Sequence, residues 1–88
     1  MPDPHQTVSQ EVRAAVAAEL GCGADMVSPE AALWDLSGLD SMKLVRIVNS
    51  LEKTCQVALD DEDVYELESL PDLVRLIERE LSARAREP

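Results

Sequence analysis

Aromatic side chains are nearly missing from this chain. Its 88 residues include no Phe, and Trp34 and Tyr65 stand alone among the large rings. Without interleaved aromatic and basic residues there is no stacking platform for single-stranded nucleic acid. Histidine occurs once, as His5, so acid–base chemistry has little to draw on. Positive charge is scarce as well: eight Lys and Arg face eighteen Asp and Glu, for a formal charge of −10. Such a balance repels nucleic-acid phosphates and anionic membranes and attracts basic protein surfaces. No apolar run approaches the roughly 20 residues of a membrane span, and Met1–Thr7 lacks the basic and apolar regions of a signal peptide. A cytoplasmic protein without membrane or nucleic-acid partners is expected. The two cysteines, Cys22 and Cys55, would then be reduced, and neither their spacing nor His5 suits zinc, so no metal is assigned.

What is present is aliphatic periodicity. A chain this short supports one modest core, burying roughly 60–65% of its unfolded surface, too thin to enclose a deep catalytic cavity. Thr7 and Gln10 have the form of a capping box ahead of Val8, Val12, Ala15, Val16 and Leu20, predicting a first helix from about Val8 to Leu20. Gly21-Cys22-Gly23 stops it. Ala24 to Asp40 then holds no helical period but scatters Met26, Val27, Leu33, Trp34, Leu36 and Leu39 among turn residues, as a long loop that packs would.

Asp40 is placed to cap a second helix from Ser41 to about Thr54, with Met42, Val45, Val48 and Leu51 at three-residue spacing and Leu44 and Ile47 beside them. Asp60 to Asp63 suits the start of a short third helix, with Val64 and Leu67 turned inward. Ser69-Leu70-Pro71-Asp72 announces a fourth, buried through Leu70, Leu73, Leu76, Ile77 and Leu81. The expected class is all-α: a four-helix bundle with a long first loop and a short third helix, spanning a domain at 8–82 between a flexible segment 1–7 and a frayed tail 83–88.

The segment with chemical meaning is Gly38-Leu39-Asp40-Ser41-Met42, which sets a serine in the first turn of a helix directly after a long loop. A serine there is ordinarily no more than a helix-start residue. The positive end of the helix dipole and its free N–H groups would nevertheless favour an anionic substituent on the hydroxyl. At this point the chain resembles the acyl carrier and peptidyl carrier protein family, whose signature is Asp-Ser-Leu or Asp-Ser-Met at the start of the second helix. The resemblance covers about Val8 to Leu81, including the glycine two residues before the Asp, the Val45/Val48/Leu51 stripe, Glu52 and the acidic third helix.

That resemblance implies a non-enzymatic carrier. Ser41 would receive 4'-phosphopantetheine from coenzyme A through a phosphopantetheinyl transferase that recognises Asp40, and cargo would ride as a thioester on the terminal thiol. An acyl- or aminoacyl-loading enzyme and an acyltransferase or synthase would be the further partners, meeting a monomeric carrier at Met42, Lys43, Val45, Arg46, Asp61 and Glu62. Cys55 stands where the family often has an aromatic, and reads as a small buried hydrophobe.

Two features depart from the family's common pattern. Lys43, Arg46 and Lys53 make the second helix less acidic than in many fatty-acid carriers, which argues for specialised clients, and the Asp-Ser-Met-Lys-Leu-Val-Arg pattern with Met42 and Arg46 resembles discrete carriers of polyketide or aminoacyl antibiotic pathways. Ser37 occupies the place before Gly38 where an apolar residue is usual. The alternative from another class is an acidic helical adaptor that binds a basic protein through Asp60–Glu68 without a prosthetic group. An enzyme using Ser41 as nucleophile is weaker still, since no base with convincing geometry can be named.

Overall fold

The computed structural model describes residues 4–86, and side chains from 7 to 83. Four helices follow one another: α1 (Pro4–Leu20), α2 (Ser41–Cys55), α3 (Asp61–Tyr65) and α4 (Leu70–Arg86). Two 3₁₀ turns, Ala24–Met26 and Leu33–Asp35, punctuate the long first loop. The class is all-α as expected, and among the described residues the sole β pairing is the isolated bridge of Ala32 with Ser69.

Both outer ends differ from expectation. α1 begins at Pro4, four residues before Val8, because proline's fixed φ suits the first helical position and its missing N–H costs nothing there. Thr7 and Gln10 therefore lie inside α1 and are not a capping box at its start. Residues 4–7 of the segment expected to be flexible are helical, while 1–3 lie outside the described residues. α4 likewise runs on to Arg86 instead of fraying at Ala83. Nothing from Ser82 to Arg86 breaks a helix.

Interior ends follow the local signals. At Gly21 (φ 75°) the chain turns left-handed, and the Cys22 N–H donates to the Ala17 carbonyl at 3.0 Å, the six-to-one bond of a Schellman motif. α2 ends the same way with Gln56 at φ 56° and the Val57 N–H on the Glu52 carbonyl at 3.1 Å. The Glu52 carboxylate also accepts from the Leu59 N–H at 2.9 Å, which ties the α2–α3 connection back to α2.

α1 packs against both α2 and α4. Val12 and Val16 of α1, Leu33 of the loop, Ile47 and Leu51 of α2, and Leu70, Leu73 and Ile77 of α4 are buried almost completely. Each such aliphatic side chain contributes about 1.5–3 kcal/mol by leaving water. Leu33 is the inward member of its turn, whereas Trp34 beside it is 55% exposed and Met26 more so, so the loop packs through fewer residues than its composition suggested. Val27 is buried, and Leu36 and Leu39 are half-buried against the core.

The buried stripe of α2 is Leu44, Ile47, Val48 and Leu51, not the three-residue series from Met42. At about 100° per residue, the nine steps from 42 to 51 make about two and a half turns, so Met42 and Leu51 lie on opposite faces. Met42 and Val45 accordingly point to solvent. In α4, Val74 joins the expected buried residues and Leu81 is half-buried. Val64 and Leu67 face inward as expected.

Candidate carrier site at the start of α2

Asp40 is extended (φ −140°, ψ 178°), and its carboxylate accepts from the Lys43 backbone N–H at 2.8 Å. Its carbonyl takes the first intrahelical bond, from the Leu44 N–H at 2.9 Å. This is the side-chain cap that the Asp-Ser junction predicts. Ser41 follows as the first helical residue and is exposed. α2 has no acidic residue in its first turn, unlike α3 with Asp61, Glu62 and Asp63 or α4 with Asp72.

Just upstream, Gly38 has φ 86°, a left-handed conformation that a Cβ would strain. The Lys43 ammonium reaches back to the Gly38 carbonyl at 2.8 Å, and the Leu39 N–H donates to Leu36 at 3.2 Å. Deeper in the loop, Arg13 of α1 donates to the carbonyls of Val27 at 2.8 Å and Ala24 at 3.0 Å. Neither contact has a signature in the sequence, because any backbone carbonyl can accept.

Of the residues expected at the site, Asp40 and Lys43 form one hydrogen-bonded unit, and the exposed Ser41 lies between them in the chain. Met42 is 66% exposed and Val45 48%, which leaves an apolar strip beside Ser41. Arg46 is exposed but paired with Glu19 of α1 at 3.2 Å, a partner that the sequence reading did not name. Asp61 and Glu62 are exposed in the first turn of α3, outside that unit, while the neighbouring Asp63 binds Arg79 of α4 at 3.0 Å.

Two open clefts lie elsewhere. One of about 320 Å³ is lined by Leu20, Cys22, Met26, Val27, Leu36 and Ser37. The other, of about 250 Å³, lies between α3 and α4 beside Asp63, Asp72 and Arg79. Neither is lined by Ser41. Among the described residues, no buried side-chain nitrogen or oxygen lacks a partner, and no group of three or more His, Cys, Asp or Glu is arranged to hold a metal ion. No described helix is long and apolar enough to cross a membrane.

Two titrating groups are displaced. Burial, assisted by the negative charge of Glu11, pushes the half-buried Cys55 thiol up. Partial desolvation would raise Asp72, but the Glu68 N–H, the Ser69 hydroxyl and the Arg75 guanidinium outweigh it and hold the carboxyl below its ordinary value.

The helical bundle thus exposes a serine directly after the Asp40 cap of α2, beside the apolar strip of Met42 and Val45. Residues 10–77 match the family model described as the phosphopantetheine attachment site. The acyl carrier protein of Thermotoga maritima is 32% identical over 76 residues, covering 86% of this chain and 94% of that relative. Those of Solidesulfovibrio magneticus and Akkermansia muciniphila are each 29% identical over 73 residues, covering 83% of this chain and 94% and 91% of the relatives. The chain belongs to the acyl carrier protein family. It is a carrier and not an enzyme, it takes a covalent 4'-phosphopantetheine, and its family works with a phosphopantetheinyl transferase and acyl-handling enzymes. Family membership thus favours the carrier over the adaptor without a prosthetic group.

Proposed function

We propose that Ser41 is the attachment point of the 4'-phosphopantetheine, and that the chain presents acyl or aminoacyl intermediates to partner enzymes from there. The observation that carries this reading is the exposed Ser41 at the first position of α2, directly after a carboxylate cap and in a turn without an acid of its own. The N–H groups of Ser41 and Met42 precede the first intrahelical bond, so a phosphodiester would meet free donors and the positive end of the dipole. The residues present fit the group on that ground. When attached, the arm supplies a terminal thiol for thioesters and a tether that raises the effective concentration of cargo at successive active sites.

In the transfer, Ser41 gives its hydroxyl proton to a base of the transferase. Its Oγ forms a bond to the phosphorus bearing the pantetheine as the pyrophosphate P–O bond of coenzyme A breaks and adenosine 3',5'-bisphosphate leaves. Asp40 caps the helix that presents the hydroxyl and is the side chain that the transferase would recognise. Met42 and Val45 offer apolar contact to partners, with Lys43, Arg46, Asp61 and Glu62 around them. The chain would act as a cytoplasmic monomer of domain 8–82, and the basic residues of α2 favour specialised polyketide or antibiotic clients.

The attachment is tested by incubating apo protein with coenzyme A and a promiscuous transferase, then mapping the modified peptide by mass spectrometry. A modified Ser41 is expected; a different residue, or none on a folded sample, overturns the assignment. The client reading is tested by Arg46→Glu, which should weaken transfer by a cognate enzyme by about 1 kcal/mol, less at high salt, and leave a generic fatty-acid enzyme indifferent. Equal behaviour of parent and variant with both enzymes removes it.

A further inference from the structure

We propose that Lys43 is a positioning residue for the modification of this carrier, acting inside its own chain by fastening the loop that delivers Ser41. The inference rests on Ser41 being the attachment point. One residue of α2 grips both sides of Leu39: the Lys43 backbone N–H holds the Asp40 carboxylate and its ammonium holds the Gly38 carbonyl, each at 2.8 Å. Between them Leu39 is half-buried, and its N–H is tied to Leu36 at 3.2 Å.

The placement of that charge is informative in itself. A cation in the first turn of a helix opposes the dipole, so helix energetics alone argue against lysine here. Its recovery comes from the charge-assisted bond to Gly38, whose left-handed φ of 86° turns the carbonyl within reach. A Cβ at Gly38 would stand 3.7 Å from the Lys43 Nζ and 3.9 Å from a Leu20 methyl, both ordinary contact distances, so it is the left-handed φ and not crowding that favours glycine there. The three residues leading into Ser41 are thus held by Lys43 of α2 and by the loop's own turn. A transferase that must seat Ser41 and its flanks meets a segment already in one conformation.

Losing the ammonium lowers the fraction of chains with that segment ordered, and an apparent affinity falls in proportion to the competent fraction. The test compares the parent, Lys43→Met and Lys43→Arg in a transferase time course read by intact mass, with amide exchange at Leu39 and Lys43 measured on the same samples. Lys43→Met should raise KM for the carrier by about three- to ten-fold with kcat nearly unchanged, and speed exchange at both amides by a similar factor. Lys43→Arg should restore most of both effects. An unchanged KM overturns the proposal. A raised KM with unchanged exchange also overturns it, because Lys43 would then touch the transferase directly. Should mapping put the arm elsewhere, the Ser41 reading falls, while faster exchange in Lys43→Met would still show the loop fastening on its own.

Discussion

The N-termini of α2 and α4 are built from the same parts and used in opposite ways. Each follows a loop and carries an oxygen-bearing cap, Asp40 in one and Ser69 in the other, accepting the backbone N–H three residues on. At α4 the junction is sealed. Asp72 answers its cap by accepting from the Glu68 N–H at 3.2 Å, and Leu33 and Leu70 exchange backbone bonds with Glu68 and Ala31 at 2.9 Å each across the Ala32–Ser69 bridge. Leu70 then enters the core at the first helical position, whereas α2 puts Ser41 and Met42 into solvent at the equivalent positions and buries nothing before Leu44. Identical cap chemistry therefore closes the fold at one helix and displays a side chain at the other. The difference lies in whether the next residue is leucine or serine.

The largest expected separation is functional. Ser41→Ala should abolish loading while leaving stability within about 0.5 kcal/mol of the parent, as for an exposed site without buried contacts. A collapsed melt would show α2 to be as sealed as α4. Conversely, Leu70→Ala should cost about 2–5 kcal/mol in urea unfolding and leave loading of the folded fraction unchanged. For a domain of this size each kcal/mol lowers the melting midpoint by roughly 4–8 °C, so the loss is easily resolved. A cost below about 1 kcal/mol would mean that the bridge, and not the leucine, seals that end.

Replacing the caps sharpens the contrast. Asp40→Ala and Ser69→Ala should each remove about 1 kcal/mol of stability. Only the first should also slow phosphopantetheine transfer, and equal loading of both variants would leave Asp40 a cap and nothing more. The smallest effect is a pH dependence at α4. Because Asp72 is held below its ordinary 3.8 in the folded chain, its contribution is full above that value and lost as pH falls through the lower folded value. The stability gap between the parent and Asp72→Asn should hold from neutral pH to about pH 5 and close in more acid solution; a gap that widened on acidification would reverse the sign assigned to Asp72.

Both junctions could be read from sequence because caps are local: an acceptor at one position and a donor three residues later leave a pattern. The class, the helix order and the exposed serine followed from those signals and from aliphatic spacing. Other features had no pattern to leave. Pro4 started α1 ahead of Thr7, whose box-like spacing to Gln10 occurs equally well inside a helix. Met42 joined a stripe on paper because three-residue steps look periodic, although they drift around the helix. The four Arg13, Lys43 and Arg46 contacts join residues between 5 and 27 positions apart, three of them through anonymous backbone carbonyls, and only the folded chain brings them together.

The half-buried thiol of Cys55 bears on a question of selectivity. A carrier of thioesters risks losing cargo to any thiolate it owns, since thiolate and not thiol is the attacking form. Desolvation and the nearby Glu11 push the Cys55 thiol up, which lowers its thiolate fraction below that of an ordinary cysteine. Alkylating reagents should therefore consume the exposed Cys22 and the arm's own thiol faster than the half-buried Cys55, whose rate should rise as the bundle opens. The same sulfur serves as a built-in reporter of unfolding in a population otherwise followed by its cargo.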